Sequence, residues 1–394
     1  FKTAVSDILE LFSAVSLLNF TEVEDTNSTV GHLRFGTAED TYSAYAYLPY
    51  TQYSAVAGDI WLDDPANLYN DPYALMGGNY WHFTIMHEIG HALGLAHTQD
   101  EASYGSRTYG TESTYGGVHN SNPYSIMAYA EYVNEPIDPI QGAYARPTTL
   151  MIDDIAAIQH LYGTNEQHNS GETIYTLSSM NNGLYTSLYG IDFNYSSIWD
   201  AGGEDTFSWS DQSSNASINL NDGEFSFFGN ISSVSDPDLN GWNDEPYFLD
   251  GDGILGIGYD VVIENAIGGS GTDALIGNEA NNKLYGGAGS GVKDILTGGG
   301  GNDIITVDGG TDTVLDLGGG SSGGETDVVI VNSGATLNST GIVSFTADGS
   351  TVNNGGAAAN AVLTARSAGA TINVASAGAG DFTITGGIGA DILT

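Results

Sequence analysis

The chain has 394 residues, of which 49 are aspartate or glutamate and 7 are lysine or arginine, so its formal net charge is −42. Such a surface repels phosphate backbones and anionic lipid headgroups, which argues against nucleic acid as a partner and against membrane insertion. The absence of cysteine excludes a disulfide framework and thiolate chemistry. The length leaves room for two or three domains.

The first part of the chain predicts a helix lying on a small sheet. Apolar side chains in residues 1–15 recur at nearly helical spacing, which favours an amphipathic helix. Short apolar runs after it predict four strands, at Leu18–Val23, Val30–Phe35, Ala44–Leu48 and 56–62. A turn-rich loop then leads into a second helix.

That second helix, predicted over Trp81–Ala96, carries the clearest chemical signal in the chain. Residues 87–97 read H-E-I-G-H-A-L-G-L-A-H, which is the pattern H-E-x-x-H-x-x-G-x-x-H. Because residues four apart share a helix face, His87 and His91 can present their imidazoles to one divalent metal ion.

The rest of the motif completes a catalytic zinc site. Gly94 allows the helix to end in a left-handed turn, after which His97 can return as a third ligand. Three protein ligands leave a coordination position for water and substrate. Glu88 follows the first ligand directly, so it is the candidate general base that takes a proton from the attacking water.

A second motif, S-I-M-A-Y at residues 125–129, resembles the Met-turn of the serralysin branch of the metzincin metallopeptidases. The resemblance implies that Met127 forms an apolar floor under the histidines. It also implies that Tyr129 is an additional zinc ligand, which moves away to stabilise the oxyanion during turnover. By the same resemblance, the strand before the zinc helix is the sheet edge that pairs with extended substrate, at Gly58, Ile60 and Trp61.

A third helix is predicted over Leu150–Tyr162, with Gly163 as its stop. Residues 153–163 closely resemble the helix that closes the serralysin catalytic domain. The polar stretch Thr164–Gly171 reads as a linker, and glycine, aspartate, asparagine, serine and threonine become frequent after it.

The second half contains glycine-rich repeats. The template G-G-x-G-x-D fits Gly268–Asp273, Gly298–Asp303 and Gly386–Asp391, a looser copy ends at Asn282, and an interrupted copy delays its aspartate to Asp294. Repeats of this kind build the parallel β-roll of RTX proteins. The glycines permit tight turns with exposed carbonyl groups, and the aspartates add the hard oxygen ligands that calcium prefers.

The expected calcium ligands come from two sources. Resemblance to serralysin segments implicates residues around the linker and the first strands, and the repeats implicate the later turns. The expected ligands are Gly171, Thr173, Asp200, Gly202, Asp205, Glu264, Gly268, Gly271, Asp273, Asn282, Asp294 and Asp303.

These features predict an α+β multidomain protein. A metzincin α/β catalytic domain over 1–165 precedes an all-β parallel β-roll (RTX) domain over 166–394, whose tail from about residue 328 is rich in Gly, Ala, Ser and Thr. The resemblance implies a secreted, monomeric bacterial zinc endopeptidase that acts on proteins, with one catalytic zinc and several structural calcium ions, and open to a proteinaceous inhibitor. The chain begins with Phe1 and stops inside a repeat, so we expect targeting sequence to lie outside it.

One alternative stays open. A calcium-binding RTX adhesion or matrix protein with a vestigial protease domain would share the second half. The intact set of His87, Glu88, His91, His97 and Tyr129 disfavours this alternative, because a vestigial site has no reason to keep its base.

Overall fold

The computed structural model describes residues 1–26, 28–38, 44–49, 55–62, 75, 77–98, 119–128, 146–176, 195–229, 253–289, 291–318, 326–355, 357 and 360–394. The helices within these ranges are α1 at Lys2–Val15, α2 at Tyr80–Ala92 and α3 at Ile152–Tyr162. In this part of the chain, no helix is long and apolar enough to cross a membrane.

The predicted helices are confirmed, with small shifts of their ends. In α1, Val5, Ile8, Phe12 and Val15 are buried, as the helical spacing of the apolar residues predicts. Helix α2 is buried on almost every side, so it forms the centre of the first half rather than its surface.

The first sheet has three strands, β1 at Arg34–Thr37, β2 at Ala44–Ala46 and β3 at Asp59–Leu62. The predicted strand at Leu18–Val23 is wrong, because that segment forms no ladder in the described structure. Its apolar side chains, such as Leu18 and Phe20, pack singly against the core instead. Periodicity alone does not separate such a segment from a strand.

The prediction that residues 56–62 form the sheet edge is also wrong. The strand order is β1-β3-β2, with β3 parallel to β1 and antiparallel to β2, so both ladders of β3 are occupied. Ile60 is buried, Trp61 packs its ring over Gly36 of β1, and Gly58 forms a turn at a φ of 81°. Ile60 and Trp61 therefore lie on the central strand of this sheet, and Gly58 lies in the turn before it.

The second half is a coil of mostly parallel strands that alternate between two sheets, as the repeats predict. One sheet contains β4 at Ile174–Thr176, β6 at Thr206–Ser208, β10 at Asn265–Ile267, β12 at Lys283–Tyr285, β14 at Ile304–Val307, β16 at Val328–Val331 and β19 at Val352–Asn353. The other contains β5 at Tyr195–Ile198, β7 at Asn215–Asn219, β8 at Phe225–Gly229, β9 at Gly253–Ile257, β11 at Ala274–Ile276, β13 at Ile295–Thr297, β15 at Thr311–Val314, β17 at Thr336–Ile342, β20 at Ala361–Ala365 and β22 at Thr383–Thr385.

The register shows the repeat directly. Asn265 pairs with Lys283, eighteen positions later, so this turn of the coil corresponds to two nine-residue repeats, whereas Ala274 pairs with Ile295, twenty-one positions later. Leu275, Leu284, Leu296 and Ile305 follow the turns and are buried between the sheets.

The tail adds a third side to the coil. From β17 onward the chain visits a further parallel sheet, made of β18 at Ser344–Thr346, β21 at Thr371–Asn373 and β23 at Ile392–Leu393. Its buried residues, such as Phe345 and Ile372, belong to the same continuous apolar core as the roll. The described part of the tail therefore continues the coil.

The two halves share part of their packing. Tyr195, Phe225 and Ile254, on strands of the second half, are buried in the apolar core around α1, α2 and α3. The Thr148 N–H also donates to the Tyr195 carbonyl oxygen at 2.8 Å. The end of the long sheet therefore supports the helix α3.

Candidate metal and active site

The end of α2 is a Schellman motif, and it determines where His97 lies. Gly94 has a φ of 104°, its N–H donates to the His91 carbonyl at 2.9 Å, and the Leu95 N–H donates to the Gly90 carbonyl at 2.9 Å. Glycine adopts this left-handed conformation at little cost, which confirms the predicted helix stop. The chain then reverses toward the open face of the helix.

Three imidazoles converge beside this turn. The ligand atoms of His87, His91 and His97 all lie within 4.8 Å of one another. His97 Nε2 lies 3.3 Å from Nε2 of His87 and 2.9 Å from Nε2 of His91. Two nitrogens bound to one tetrahedral zinc would be separated by roughly 3.3 Å, since each zinc–nitrogen bond is about 2.0–2.1 Å long.

The tautomers of two rings suit a metal ion. His87 Nδ1 lies 2.7 Å from the Ile126 carbonyl oxygen, and His91 Nδ1 lies 2.8 Å from the Leu95 carbonyl oxygen. A carbonyl oxygen only accepts, so each Nδ1 carries the proton and each Nε2 presents a lone pair. Together with Nε2 of His97, these two lone pairs form a donor set for a divalent cation.

Burial at this site disfavours the charged forms of His87 and Glu88. Burial, with help from the neighbouring His91, lowers the pKa of His87 to about 3. Burial raises the pKa of Glu88 to about 7. Among the described residues, Oε2 of Glu88 is buried and has no hydrogen-bond partner.

Met127 packs against helix α2. Its side chain is buried, and a Cβ atom at Gly90 of α2 would lie 2.8 Å from its Sδ atom. The absence of a side chain at position 90 is what allows this close approach. Tyr129, the other predicted residue of this turn, lies outside the described residues.

Asp154 is a buried acid that the sequence reading missed. Its carboxylate accepts hydrogen bonds from Ser125 Oγ and from the Ile126 and Met151 N–H groups, at 2.7, 2.7 and 3.0 Å. Burial raises the pKa of Asp154 to about 7, against the lowering effect of these bonds. The signal was present, because position 154 falls in the apolar stripe of Met151, Ile155 and Ile158, where a charged residue is out of place.

In the second half, the predicted calcium residues lie in the turns before the strands. Asp200, Asp205, Asp273, Asn282, Asp294 and Asp303 are all buried. Successive carboxylates are linked by backbone groups: the Asp273 N–H donates to Asp294 at 2.8 Å, and the Asn282 N–H donates to Asp303 at 2.8 Å. Asp312 and Asp327, which the prediction did not include, continue the two columns.

The first predicted calcium site brings the linker and the roll together. Asp205 accepts from the Thr173 N–H at 2.7 Å, while its own N–H donates to Glu264 at 2.7 Å. The Gly202 N–H donates to Asp200 at 2.8 Å, and Gly171 lies beside Thr173. These residues therefore occupy one corner of the coil.

Several carboxylate oxygens in these turns have no partner. Among the described residues, Oδ2 of Asp205, Asp294 and Asp312 are buried without a hydrogen bond. Burial raises the pKa of Asp294 to about 8 and that of Asp312 to about 6. Buried, unpaired acidic oxygens in glycine-rich turns are the environment that a calcium ion stabilises.

Asn282 differs from its neighbours in the column. Its Nδ2 donates to the Glu264 carbonyl oxygen at 2.8 Å and to the Asn278 side chain at 3.0 Å. Its hydrogen bonds are met within the chain, so it is a weaker candidate ligand than the aspartates. Gly268 packs against the Gly286 backbone, and Gly271 packs against Ser214.

Comparison with known families covers both halves of the chain. Residues 2–135 match Metallo-peptidase family M12, and residues 164–236 match the Peptidase M10 serralysin C terminal family. The RTX calcium-binding nonapeptide repeat matches residues 267–290, 293–314 and 367–394. These matches imply a metal ion in the first half and calcium in the second.

Known proteins show the same similarity. Metalloprotease AprA of Pseudomonas entomophila is 36% identical over 286 residues, which are 70% of this chain and 53% of the relative. Serralysin C of Dickeya chrysanthemi is 37% identical over 281 residues, covering 68% of this chain and 51% of the relative. Serralysin of Proteus mirabilis is 35% identical over 291 residues, covering 70% of this chain and 53% of the relative. The chain therefore spans about half the length of these relatives.

Proposed function

We propose that this chain is a zinc-dependent endopeptidase. Its resemblance to the serralysin-type metallopeptidases with RTX repeats is confirmed. The observation that carries the proposal is the convergence of the His87, His91 and His97 nitrogens beside the buried Glu88. Three imidazole ligands, which leave a coordination position for water or substrate, are the donor set of a catalytic zinc rather than a structural one.

When bound, zinc would polarise the scissile carbonyl and make a water molecule more acidic. The residues of the chain would bind the metal ion and transfer the protons. His87, His91 and His97 would hold the ion, with the Ile126 and Leu95 carbonyls fixing two of the rings. Glu88 would accept the proton of the attacking water and return it to the leaving amine, a role that suits a carboxylate whose pKa lies near neutrality.

Tyr129 would hold the oxyanion together with the metal. This role rests on the S-I-M-A-Y pattern alone, and loss of one such donor typically reduces the rate by about 10²–10³.

Substrate would bind in extended form along β2 rather than β3. In the described structure, β2 pairs with a strand on one side only, and it is antiparallel to β3. An open strand edge offers backbone N–H and C=O groups to an extended peptide.

The catalytic half would extend over 1–165 and the calcium-binding half over 166–394. Helix α3 ends at Tyr162 and Gly163 adopts a φ of 81°, after which the described chain is built of strands. Calcium would bind at the turns that hold Asp205, Asp273 and Asp294, where buried carboxylates lie close together.

The protein would act outside the cell as a monomer, and a proteinaceous inhibitor could bind its cleft. A chain without cysteine needs another means of holding its fold, and calcium at extracellular concentrations can supply it. An adhesion or matrix protein with an inactive first half is the rival, and the complete metal-binding set with its base argues against it.

The test is digestion of one unfolded protein, with the products identified by mass spectrometry. We expect internal cleavage that a zinc chelator abolishes and added zinc restores. Absence of cleavage in a preparation that contains zinc and calcium would favour the adhesion protein. Release of single terminal residues would contradict an endopeptidase.

A further inference from the structure

A continuous line of hydrogen bonds leads from His87 into the protein interior. The His87 Nδ1–H group donates to the Ile126 carbonyl oxygen at 2.7 Å, and the Met127 N–H donates to Ser125 Oγ at 3.0 Å. The Ile126 carbonyl and the Met127 N–H belong to one planar, delocalised peptide group. The two bonds are therefore joined electronically through that peptide.

The line ends on a buried carboxylate. Ser125 Oγ–H donates to Asp154 Oδ1 at 2.7 Å, while Asp154 Oδ2 accepts from the Ile126 and Met151 N–H groups at 2.7 and 3.0 Å. The described structure gives Asp154 three donors, and these hydrogen bonds favour the ionised carboxylate against the opposing effect of burial. The position at the start of α3 favours the same negative charge. Every bond in the line then points from the imidazole toward that charge.

We propose that Asp154 is a positioning residue of the metal centre, acting on His87 through Ser125 and the peptide group between Ile126 and Met127. Hydrogen bonds in such a chain polarise one another, so the charge at its far end strengthens the bond from His87 Nδ1–H. A stronger bond there leaves more electron density on Nε2 and holds the ring in the orientation that binds metal. The inference rests on the proposed function for the identity of the metal as zinc.

The chain contains its own controls. Asp153 lies beside Asp154 on the same helix, but its carboxylate contacts His119 at 2.8 Å and Tyr259 at 3.1 Å instead of the Met-turn. His91 donates to the Leu95 carbonyl, outside the line that ends on Asp154. A general effect of charge or helix stability would act through Asp153 as well, whereas the proposed effect is confined to Asp154 and His87.

The first experiment measures zinc affinity by competition with a chromogenic chelator. Loss of a group behind a metal ligand typically reduces metal affinity 10–100-fold. We expect a reduction of this size in Asp154→Asn and in Ser125→Ala, and no change in Asp153→Asn. Ser125→Ala keeps the Asp154 carboxylate and its two hydrogen bonds from backbone N–H groups. If Asp154→Asn does not fold, Ser125→Ala therefore still tests the line of hydrogen bonds.

If Asp154→Asn or Ser125→Ala folds and binds zinc with wild-type affinity, the proposal is overturned. Zinc affinity would then not depend on the charge of Asp154 or on the hydroxyl of Ser125. An equal loss in Asp153→Asn would overturn it too, since the cause would then be general.

The second experiment tests the line of hydrogen bonds by NMR in the absence of metal and substrate. In protein labelled with ¹⁵N-histidine, the Hδ1 resonance of His87 should move upfield in Asp154→Asn and Ser125→Ala, while that of His91 stays in place. An unchanged His87 resonance would contradict the proposal. Because this measurement uses the metal-free chain, its result stands apart from that of the digestion. A chain that shows the shift but cleaves nothing would refute the proposed function alone.

Discussion

The imidazole of His119 lies against the carboxylate of Asp153, with 2.8 Å between Nδ1 and Oδ2. The other carboxylate oxygen accepts from the Tyr259 hydroxyl at 3.1 Å, so this acid joins a segment near the metal site, the helix α3 and the second half. His119 is half-buried where these three segments meet.

This pair makes stability depend on pH. The hydrogen bond and charge of Asp153 raise the pKa of His119 above its ordinary value of 6.5, with burial acting in the opposite direction. A raised pKa means that the stabilisation is fully present below about pH 6.5 and is lost as the pH rises through the folded-state pKa. We expect the difference in melting temperature between the wild type and His119→Gln to be largest below that pH and to shrink above it.

The matched control is His119→Gln in a chain that carries Asp153→Asn, where the partner carboxylate is absent and no such trend is expected. A difference between His119→Gln and the wild type that stays constant from about pH 5 to 9 would mean that the charge of the imidazole plays no part.

Glu88→Gln should abolish proteolysis while zinc remains bound. The amide keeps the size of the side chain but does not accept a proton, and general-base catalysis typically contributes about 10²–10⁴ to the rate. Zinc content is measured alongside the rate of peptide cleavage. Glu166→Gln, on the exposed linker, should retain full activity. Near-normal turnover by Glu88→Gln would rule out this residue as the base.

Gly94→Ala should weaken both the fold and the metal site. At a φ of 104°, an L-amino acid is strained, and the left-handed conformation costs about 1–2 kcal/mol. The strain is relieved only if the turn that returns His97 changes. We expect a lower melting temperature and weaker zinc binding. Gly349→Ala is the control, because a Cβ atom there meets no heavy atom within 4 Å. Equal behaviour of the two variants would show that the turn tolerates alanine.

Without calcium, the second half should be more stable in mild acid than at high pH. Burial raises the pKa of Asp273 and Asp312 to about 6 and that of Asp294 to about 8, all from 3.8. Because the folded state holds these protons more tightly than the unfolded state, metal-free stability should fall as the pH rises from about 4 to about 8. Circular dichroism melts in chelator measure this trend.

Calcium should reverse the trend, because protons compete with the ion for the same oxygens. Magnesium should do much less, since its small octahedral shell fits these turns poorly. A chelated protein that is more stable at about pH 8 than at about pH 4 would contradict the assignment of these carboxylates to calcium.

The features that the sequence determined by itself are formed by residues that are close together in the chain. The positions of His87 and His91 follow from helix geometry, and the turn at Gly94 follows from the conformations that only glycine adopts easily. The roll is equally readable, because each repeat carries its own turn glycines, aspartate and buried apolar residue. In all these cases, the interacting groups lie within about ten positions of one another.

Only the tertiary structure decided which distant segments meet. The alternation in residues 56–62 is the same for an edge strand and a central strand, so the pairing of β3 with both β1 and β2 could not be read from it. Likewise, Asp154 reaches Ser125 across 29 positions, and no local pattern encodes that contact. The third sheet, in the tail, forms only because successive turns of the coil stack so that β18, β21 and β23 pair with one another. Long-range stacking and burial select these arrangements, because many partners satisfy the local pattern and only the assembled core distinguishes between them.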